Sequence, residues 1–465
     1  MKEKINKNLY KIIPLIFTII SICFMHKIIS LNIIPSKYIG IILVSLILIT
    51  LVLDFFIIFI KNKIVKIIFI IISILISVCF IYTNKYLSSF DNFIELLSKS
   101  QNMEVYYTLV VKNEDSDNFE DYINTDIGVL NINKDDTKKY LNNINFSAKF
   151  EYQNLSTLHQ KLVNNNIRGI IIPSGLDPVL RENDDYKNYK FIPLKKIKID
   201  NKNSKIKDIT KKSTVVYISG IDVDGSINTV SRSDVNIIAV VNPEKKKIFL
   251  LHIPRDTLVK MPGTSEYDKL THTGLFGSLY SAKAVEDYFN IEIDNYIKVN
   301  FNSVTSLLDL LGGVEVTNSE ESFKVGSCHY PHGTFYLSNK CALGYVRERK
   351  SLKESDISRG KHQLDLIVGV INKVKEPSNL LRADKILNSM NGLFTSNLTE
   401  EQIKKFIKFQ IDKEIDWEFE EFSFSVGEDI WNYRTYTYPS LGLYVMKLKQ
   451  NELDEANKLL KEYIK

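Results

Sequence analysis

Three stretches, TVVYISGID (Thr214–Asp222), VNIIAVVN (Val235–Asn242) and KIFLLHIPRD (Lys247–Asp256), decide the fold of this 465-residue chain. Each is an almost continuous apolar run, without the alternation of a strand that shows one face to water. Such strands are buried on both faces, so helices must cover their sheet from both sides. Candidate helices follow at Ser278–Phe289, Val304–Leu311, Cys341–Tyr345, Ser358–Lys375 and Glu400–Lys408. After them SLGLYVMKL (Ser440–Leu448) reads as a strand and Asn451–Tyr463 as a closing helix. The pattern predicts an α/β fold, a three-layer α/β/α domain over residues 206–465. Upstream, Glu104–Lys112 and Asp126–Ile132 read as strands, Thr157–Asn164 as a helix and IRGIIIPSG (Ile167–Gly175) as a buried strand ending in a turn. They predict a small accessory α/β domain over residues 85–205, with the boundary in the polar, lysine-rich Lys195–Lys212.

Residues 1–84 differ in kind. Three apolar segments, at about 12–34, 38–60 and 64–82, are long enough to cross a hydrocarbon core. Lys2, Lys4, Lys7 and Lys11 precede the first, and Lys61, Lys63 and Lys66 fill the second loop, while only Lys27 and Lys37 flank the first loop. The positive-inside rule then predicts a multi-pass cell-membrane anchor with everything after it outside the cytoplasm. Asp54, within the second span, lies close enough to Lys61 to tilt toward the interface. These 84 residues hold nine lysines and two acids, and the rest of the chain 51 basic against 53 acidic residues. The basicity therefore belongs to the anchor, which excludes a nucleic-acid-binding body.

Cys328 and Cys341 are the only cysteines beyond the anchor, and an isolated pair in an oxidising compartment predicts a disulfide. A metal site with His329 and His332 is the rival, but these spacings fit no common zinc pattern.

Candidate chemistry lies at the strand ends. Asp222 closes the first apolar run and Asp234 opens the second, so two carboxylates can meet at the sheet edge and hold a hard cation, although turn capping would use the same residues. Arg255 leaves the third run, where open α/β sheets place ligands, with Asp256 as an alternative salt-bridge partner. Only nine of the 60 basic residues are arginine, yet Arg232, Arg255, Arg347, Arg349 and Arg359 all fall beside these segments. Lysine suffices for a solvated charge; a guanidinium adds a planar fork matched to phosphate oxygens. If Tyr345–Lys350 (YVRERK) is extended, Arg347 and Arg349 point one way and Glu348 the other. Two aspartates, several arginines and no Cys or Ser–His nucleophile describe a phosphoryl or pyrophosphate site, with a plain ion-pair network as the alternative.

From about Thr214 to Lys375 the chain resembles the LytR–CpsA–Psr family. ISGID, RSDVN, VNPEKKKIFLLHIPRDT, DKLTHTGLFG, LLGGVEV, ALGYVRERK and DISRGKHQ carry the likeness in order and spacing. The triple-span anchor and small external domain resemble its capsule-associated branch, whose fold implies a mixed central sheet. The resemblance implies a membrane-bound phosphotransferase. It would move a capsular or teichoic-acid-like glycopolymer from a polyprenyl pyrophosphate carrier to peptidoglycan through a phosphodiester, with capsule-assembly proteins as further partners. It implies that Asp222 and Asp234 hold Mg²⁺ (or Mn²⁺), and that Asp234, Arg255, Asp256, Arg347 and Arg349 act in catalysis. Arg232, Lys269, Asp356, Arg359 and Gln363 would bind the lipid head group. Val235 stands where many members have Thr, and Lys361-His362-Gln363 where the usual triplet is Arg-Gln-Gln; neither removes a charge from this set. A polyprenyl-pyrophosphate hydrolase and a non-catalytic regulator or scaffold are the alternative functions.

Overall fold

All three apolar runs form strands in the computed structural model, which describes residues 2–98, 102–132, 134–146, 150–195, 197–200, 207–221, 223, 226–374, 385–386 and 392–465. The strands are β1 (Thr214–Ile221), β2 (Val235–Asn242) and β3 (Lys247–His252). With β4 (Asn295–Asn300), β5 (Phe394–Ser396) and β6 (Glu418–Ser423) they make a six-stranded sheet in the order β5–β4–β1–β2–β3–β6. Pairing is parallel at β4–β1 and β3–β6 and antiparallel elsewhere, so the sheet is mixed. Residues 214–218 alternate faces yet only Ile218 is less than buried, as their continuous apolar character requires.

On one face, Val215, Tyr217, Ile238, Val240, Phe249 and Leu251 pack against α1 (Ser278–Phe289) and α4 (Gln450–Ile464). On the other, α3 (Asp356–Val374) packs on β3 and β6. These are the three expected layers. β6 was not anticipated. Its sequence, EFEEFS, is half acidic, but an edge strand needs to bury little, and its parallel ladder to β3 supplies the partners.

The small sheet has five strands, in the order Phe150–Tyr152, Ile127–Leu130, Gly169–Pro173, Tyr107–Lys112, Tyr189–Pro193. It shares one hydrophobic cluster with the larger layer. Ile170, Ile172 and Leu176 pack with Met261, Leu275, Tyr280 and Tyr436. Gly175 permits that contact, since a Cβ there would lie 2.1 Å from the Leu275 carbonyl oxygen. Both sheets and their helices belong to one compact unit.

A second unit holds Lys2–Leu31, Ser36–Phe59 and Lys63–Ser98, three helices long and apolar enough to cross a membrane. The third helix continues well past the expected end of its span. Thr18 Oγ1 donates to Asp54 Oδ2 at 2.6 Å, so Asp54 faces the neighbouring helix. The helix Glu400–Lys413, which the sequence grouped with the large domain, lies in this unit: Lys404 and Lys27 both pair with Asp91, at 2.9 and 3.1 Å, and Lys37 pairs with Asp412 at 2.9 Å.

Candidate active site

Strand ends and helix ends meet at one cavity. Asp234 precedes β2, its amide donating to Gly220 O at 2.8 Å, and Arg255 leaves β3. Arg255 Nη1 bonds Asp234 Oδ1 at 2.6 Å, and its Nε lies 3.5 Å from Asp356 and 3.8 Å from Asp256. Asp356 opens α3, where a carboxylate also favours the helix dipole, and pairs with Arg359 one turn on at 2.5 Å. Arg359 Nη2 reaches the Asp234 carbonyl at 3.3 Å. Lys269 Nζ bonds Asp256 Oδ1 at 2.7 Å.

The YVRERK stretch is not extended. It is the end of a helix, α2 (Asn339–Arg347), with Glu348 as its cap in β conformation. Glu348 still turns aside, because Oε1 accepts the Ser351 amide at 2.8 Å and so closes the following turn. Arg347 and Arg349 both line the cavity, placed there by a helix end followed by a turn instead of by strand alternation. Gln363, on α3, donates to Val346 O at 3.1 Å and ties the two helices together behind them.

The cavity encloses about 230 Å³. Arg255, Arg347, Arg349 and Arg359 line it with Gln363 and one described carboxylate, Asp234, over an apolar back of Ile221, Val235 and Val346. Four guanidinium groups and the neighbouring Lys269 outnumber Asp234, Asp256 and Asp356, and this excess of positive charge makes it a seat for an anion. Nε of both Arg255 and Arg359 is buried and makes no hydrogen bond of good geometry, that of Arg255 lying instead beside the Asp356 and Asp256 carboxylates. Burial works to lower the Arg255 pKa, but Asp234, Asp356 and Asp256 hold it above its ordinary value. Burial lowers that of Arg359 against the pull of Asp356. Asp356 is pushed up by burial, opposed by Arg359 and Arg255.

Of the other expected residues, Asp256, Asp356 and Lys269 stand beside the cavity in the ion-pair network. Arg232 points elsewhere: its Nη2 donates to the Tyr438 hydroxyl at 2.7 Å. Asp222 lies outside the described residues. Both departures from the usual triplet are spent on structure. Lys361 pairs with Glu320 and Glu354, and His362 is a core ring stacked on Tyr345 at 4.2 Å. Burial pushes His362 down to about 4, so it stays neutral. Two neighbours were missed. Thr271 Oγ1 donates to Asp234 Oδ1 at 3.4 Å, and His252 packs beneath Gly360. The only sequence signal for the second was a glycine inside a predicted helix.

Cys328 and Cys341 form a disulfide that ties α2 to the neighbouring hairpin, reinforced by Tyr330 OH donating to Cys341 O at 2.8 Å. His332 uses Nδ1 on the Glu320 carbonyl. Replacing either cysteine with serine is expected to cost about 3 kcal/mol, the chain-entropy value for a loop of this size. Urea denaturation with and without reductant checks it: the wild type should fall to the variant's midpoint when reduced.

The LytR_cpsA_psr family model matches residues 187–459, more than half of the chain. The chain belongs to that family. Its relatives include TagU of Oceanobacillus iheyensis, a polyisoprenyl-teichoic acid–peptidoglycan teichoic acid transferase, 29% identical over 222 residues, 46% of this chain and 69% of that protein. The transferase of the same name from Enterococcus faecalis is 32% identical over 207 residues, covering 44% and 68%. TagT of Bacillus subtilis, named for the same activity, is 30% identical over 264 residues, covering 54% and 77%. Among solved structures, TagT bound to LIIa-WTA aligns over 56% of this chain and 95% of its own, at 28% identity and a TM-score of 0.43. Every site segment from Arg232 to Gln363 falls inside the LytR_cpsA_psr match.

Proposed function

We propose that the protein is a membrane-anchored phosphotransferase that moves a glycopolymer from a polyprenyl pyrophosphate carrier onto peptidoglycan. The arginine-lined cavity beside Asp234 carries this reading. Acceptor hydroxyl oxygen would attack the glycan-side phosphorus, its proton passing to a carboxylate, while the bond to the bridging oxygen breaks and polyprenyl phosphate leaves. Negative charge grows on the phosphoryl and leaving oxygens as it does so. Arg255, Arg347, Arg349 and Arg359 would meet that charge without reorganising, because ion pairs, Gln363 and the disulfide already hold their supports in place. Asp234 holds Arg255 through Oδ1, and we assign Asp256, oriented by Lys269, as the base.

Asp234 fits a divalent cation: it is a hard oxygen donor on the cavity wall beside the phosphate seat. With Asp222 it would hold Mg²⁺, or Mn²⁺, which would neutralise phosphate oxygens. We also propose three membrane crossings with the catalytic unit outside the cytoplasm. The Lys27–Asp91 pair supports this, joining the far end of the first helix to the far end of the third, away from the lysine-rich ends. Capsule-assembly proteins are proposed further partners.

The full-length protein, incubated with a polyprenyl-pyrophosphate glycan, Mg²⁺ and peptidoglycan, should yield a glycan–peptidoglycan phosphodiester. Free glycan phosphate with no adduct would instead identify a hydrolase. Arg347→Lys keeps the charge but loses the fork. One charge-assisted hydrogen bond is about 1.5–3 kcal/mol, so turnover should fall about 10- to 100-fold. Unchanged single-turnover rates would defeat the fork argument.

A further inference from the structure

Outside the apolar helices, Trp431 is the most exposed large hydrophobic side chain among the described residues, at 71%. It sits on a hairpin of β7 (Glu428–Tyr433) and β8 (Leu443–Lys447), whose register shifts between Ile430 and Tyr433. Such an irregularity re-aims side chains out of the ladder. The indole lies against the Tyr444 ring, centroids 4.9 Å apart. Tyr444 is itself fixed, its hydroxyl donating to Asp429 Oδ1 at 2.8 Å.

The hairpin is attached to the active site. Met446 donates its amide to the Asp256 carbonyl at 3.0 Å and pairs with Thr257. Lys269 Nζ, bonded to Asp256, lies 5.6 Å from the Tyr444 ring centroid. From indole to candidate base there are thus two side chains, Tyr444 and Lys269. Neither Asp256, Lys269 nor Tyr444 lines the arginine cavity. Arg255 meets Asp234 through Nη1 and Asp256 through Nε, so Asp256 touches the same guanidinium from another side than the cavity carboxylate does.

An exposed indole braced by a second ring, with carboxylates Asp429 and Glu428 on the same strand, is wrong for a phosphate. It suits the apolar C–H face of a pyranose, whose hydroxyls can donate to Asp429. We infer that Trp431 and Tyr444 form a platform for a sugar ring of the acceptor glycan, which turns its hydroxyl toward Asp256. The inference rests on the phosphotransferase reading and adds where the acceptor binds.

The chain has two tryptophans, and Trp417 is 9% exposed, so solvent quenching of fluorescence reports mainly on Trp431. Full-length protein in detergent is titrated with a soluble glycan-strand fragment of peptidoglycan, following emission and acrylamide quenching. Emission should shift to the blue and quenching should weaken, and Trp431→Phe should remove both responses. Trp431→Ala should raise the acceptor KM about tenfold, the equivalent of one aromatic contact, with the donor KM unmoved and Phe recovering most of the loss. Unaltered quenching at fragment concentrations that saturate transfer overturns the platform. So does a rise in donor KM, which would make this a seat for the polymer's own sugars. A fluorescence response without any transfer would retain the sugar site and sink the phosphotransferase reading instead.

Discussion

Replacing Arg255 with alanine is expected to reduce transfer at least about 10³-fold and to lower unfolding free energy by about 3–5 kcal/mol. Arg255 is the hub of the network: its one guanidinium faces Asp234, Asp256 and Asp356. Removing it leaves three carboxylates sharing Arg359 and Lys269, and a partly buried charge stripped of its partner costs more than the pair contributed. The rate falls for two further reasons. One of four cavity cations is gone, and Asp234 is no longer held by its 2.6 Å bond. Arg255→Lys separates these effects, since an ammonium restores charge but reaches fewer acceptors. It should recover much of the stability and little of the rate. Single-turnover transfer and urea denaturation measure the two quantities, and an alanine variant within tenfold of wild type would contradict the hub assignment.

Gly360→Ala is expected to cut turnover about 100-fold. Within a helix, glycine to alanine ordinarily stabilises by about 1 kcal/mol. Here the new Cβ would land 1.9 Å from the His252 ring, which is buried on β3 at 2% exposure. Overpacking of this kind costs about 1–3 kcal/mol, so the clash outweighs the propensity gain. Relief comes by lifting α3 off the sheet, and α3 carries Asp356, Arg359 and Gln363. Burial pushes His252 down to about 3, so the ring is neutral, and shortening it strands no charge. The double variant His252→Ala/Gly360→Ala should therefore recover stability and rate beyond the sum of the single effects. Purely additive losses would show that the contact does not position α3.

Much of this was legible in the chain. Continuous apolar runs at Thr214–Ile221, Val235–Asn242 and Lys247–His252 require a sheet covered on both faces, whatever the rest does. The scarcity of arginine marked Arg232, Arg255, Arg347, Arg349 and Arg359 before any geometry was known, and the last four line the cavity. The Cys328–Cys341 pairing followed from cysteine count and the expected compartment.

What stayed hidden depends on contacts distant in sequence. The acidic strand Glu418–Ser423 exists because β3 offers it a ladder, and no local pattern records that offer. The same holds for Glu400–Lys413, which lies with the apolar helices through ion pairs to residues over 300 positions earlier. Arg347 and Arg349 converge through a helix end and a turn, where side-chain direction follows from capping and not from alternation. Arg232, two residues from Asp234, leaves the site for Tyr438. The strand carrying Trp431 was not anticipated, and the residue gains a role only once its hairpin is docked beside Asp256. Composition and periodicity determined which residues this protein would bury and which charges it would gather, since both are settled by solvation residue by residue. Which charges face the cavity and which support it was decided only in the tertiary structure, because direction is a property of packed neighbours.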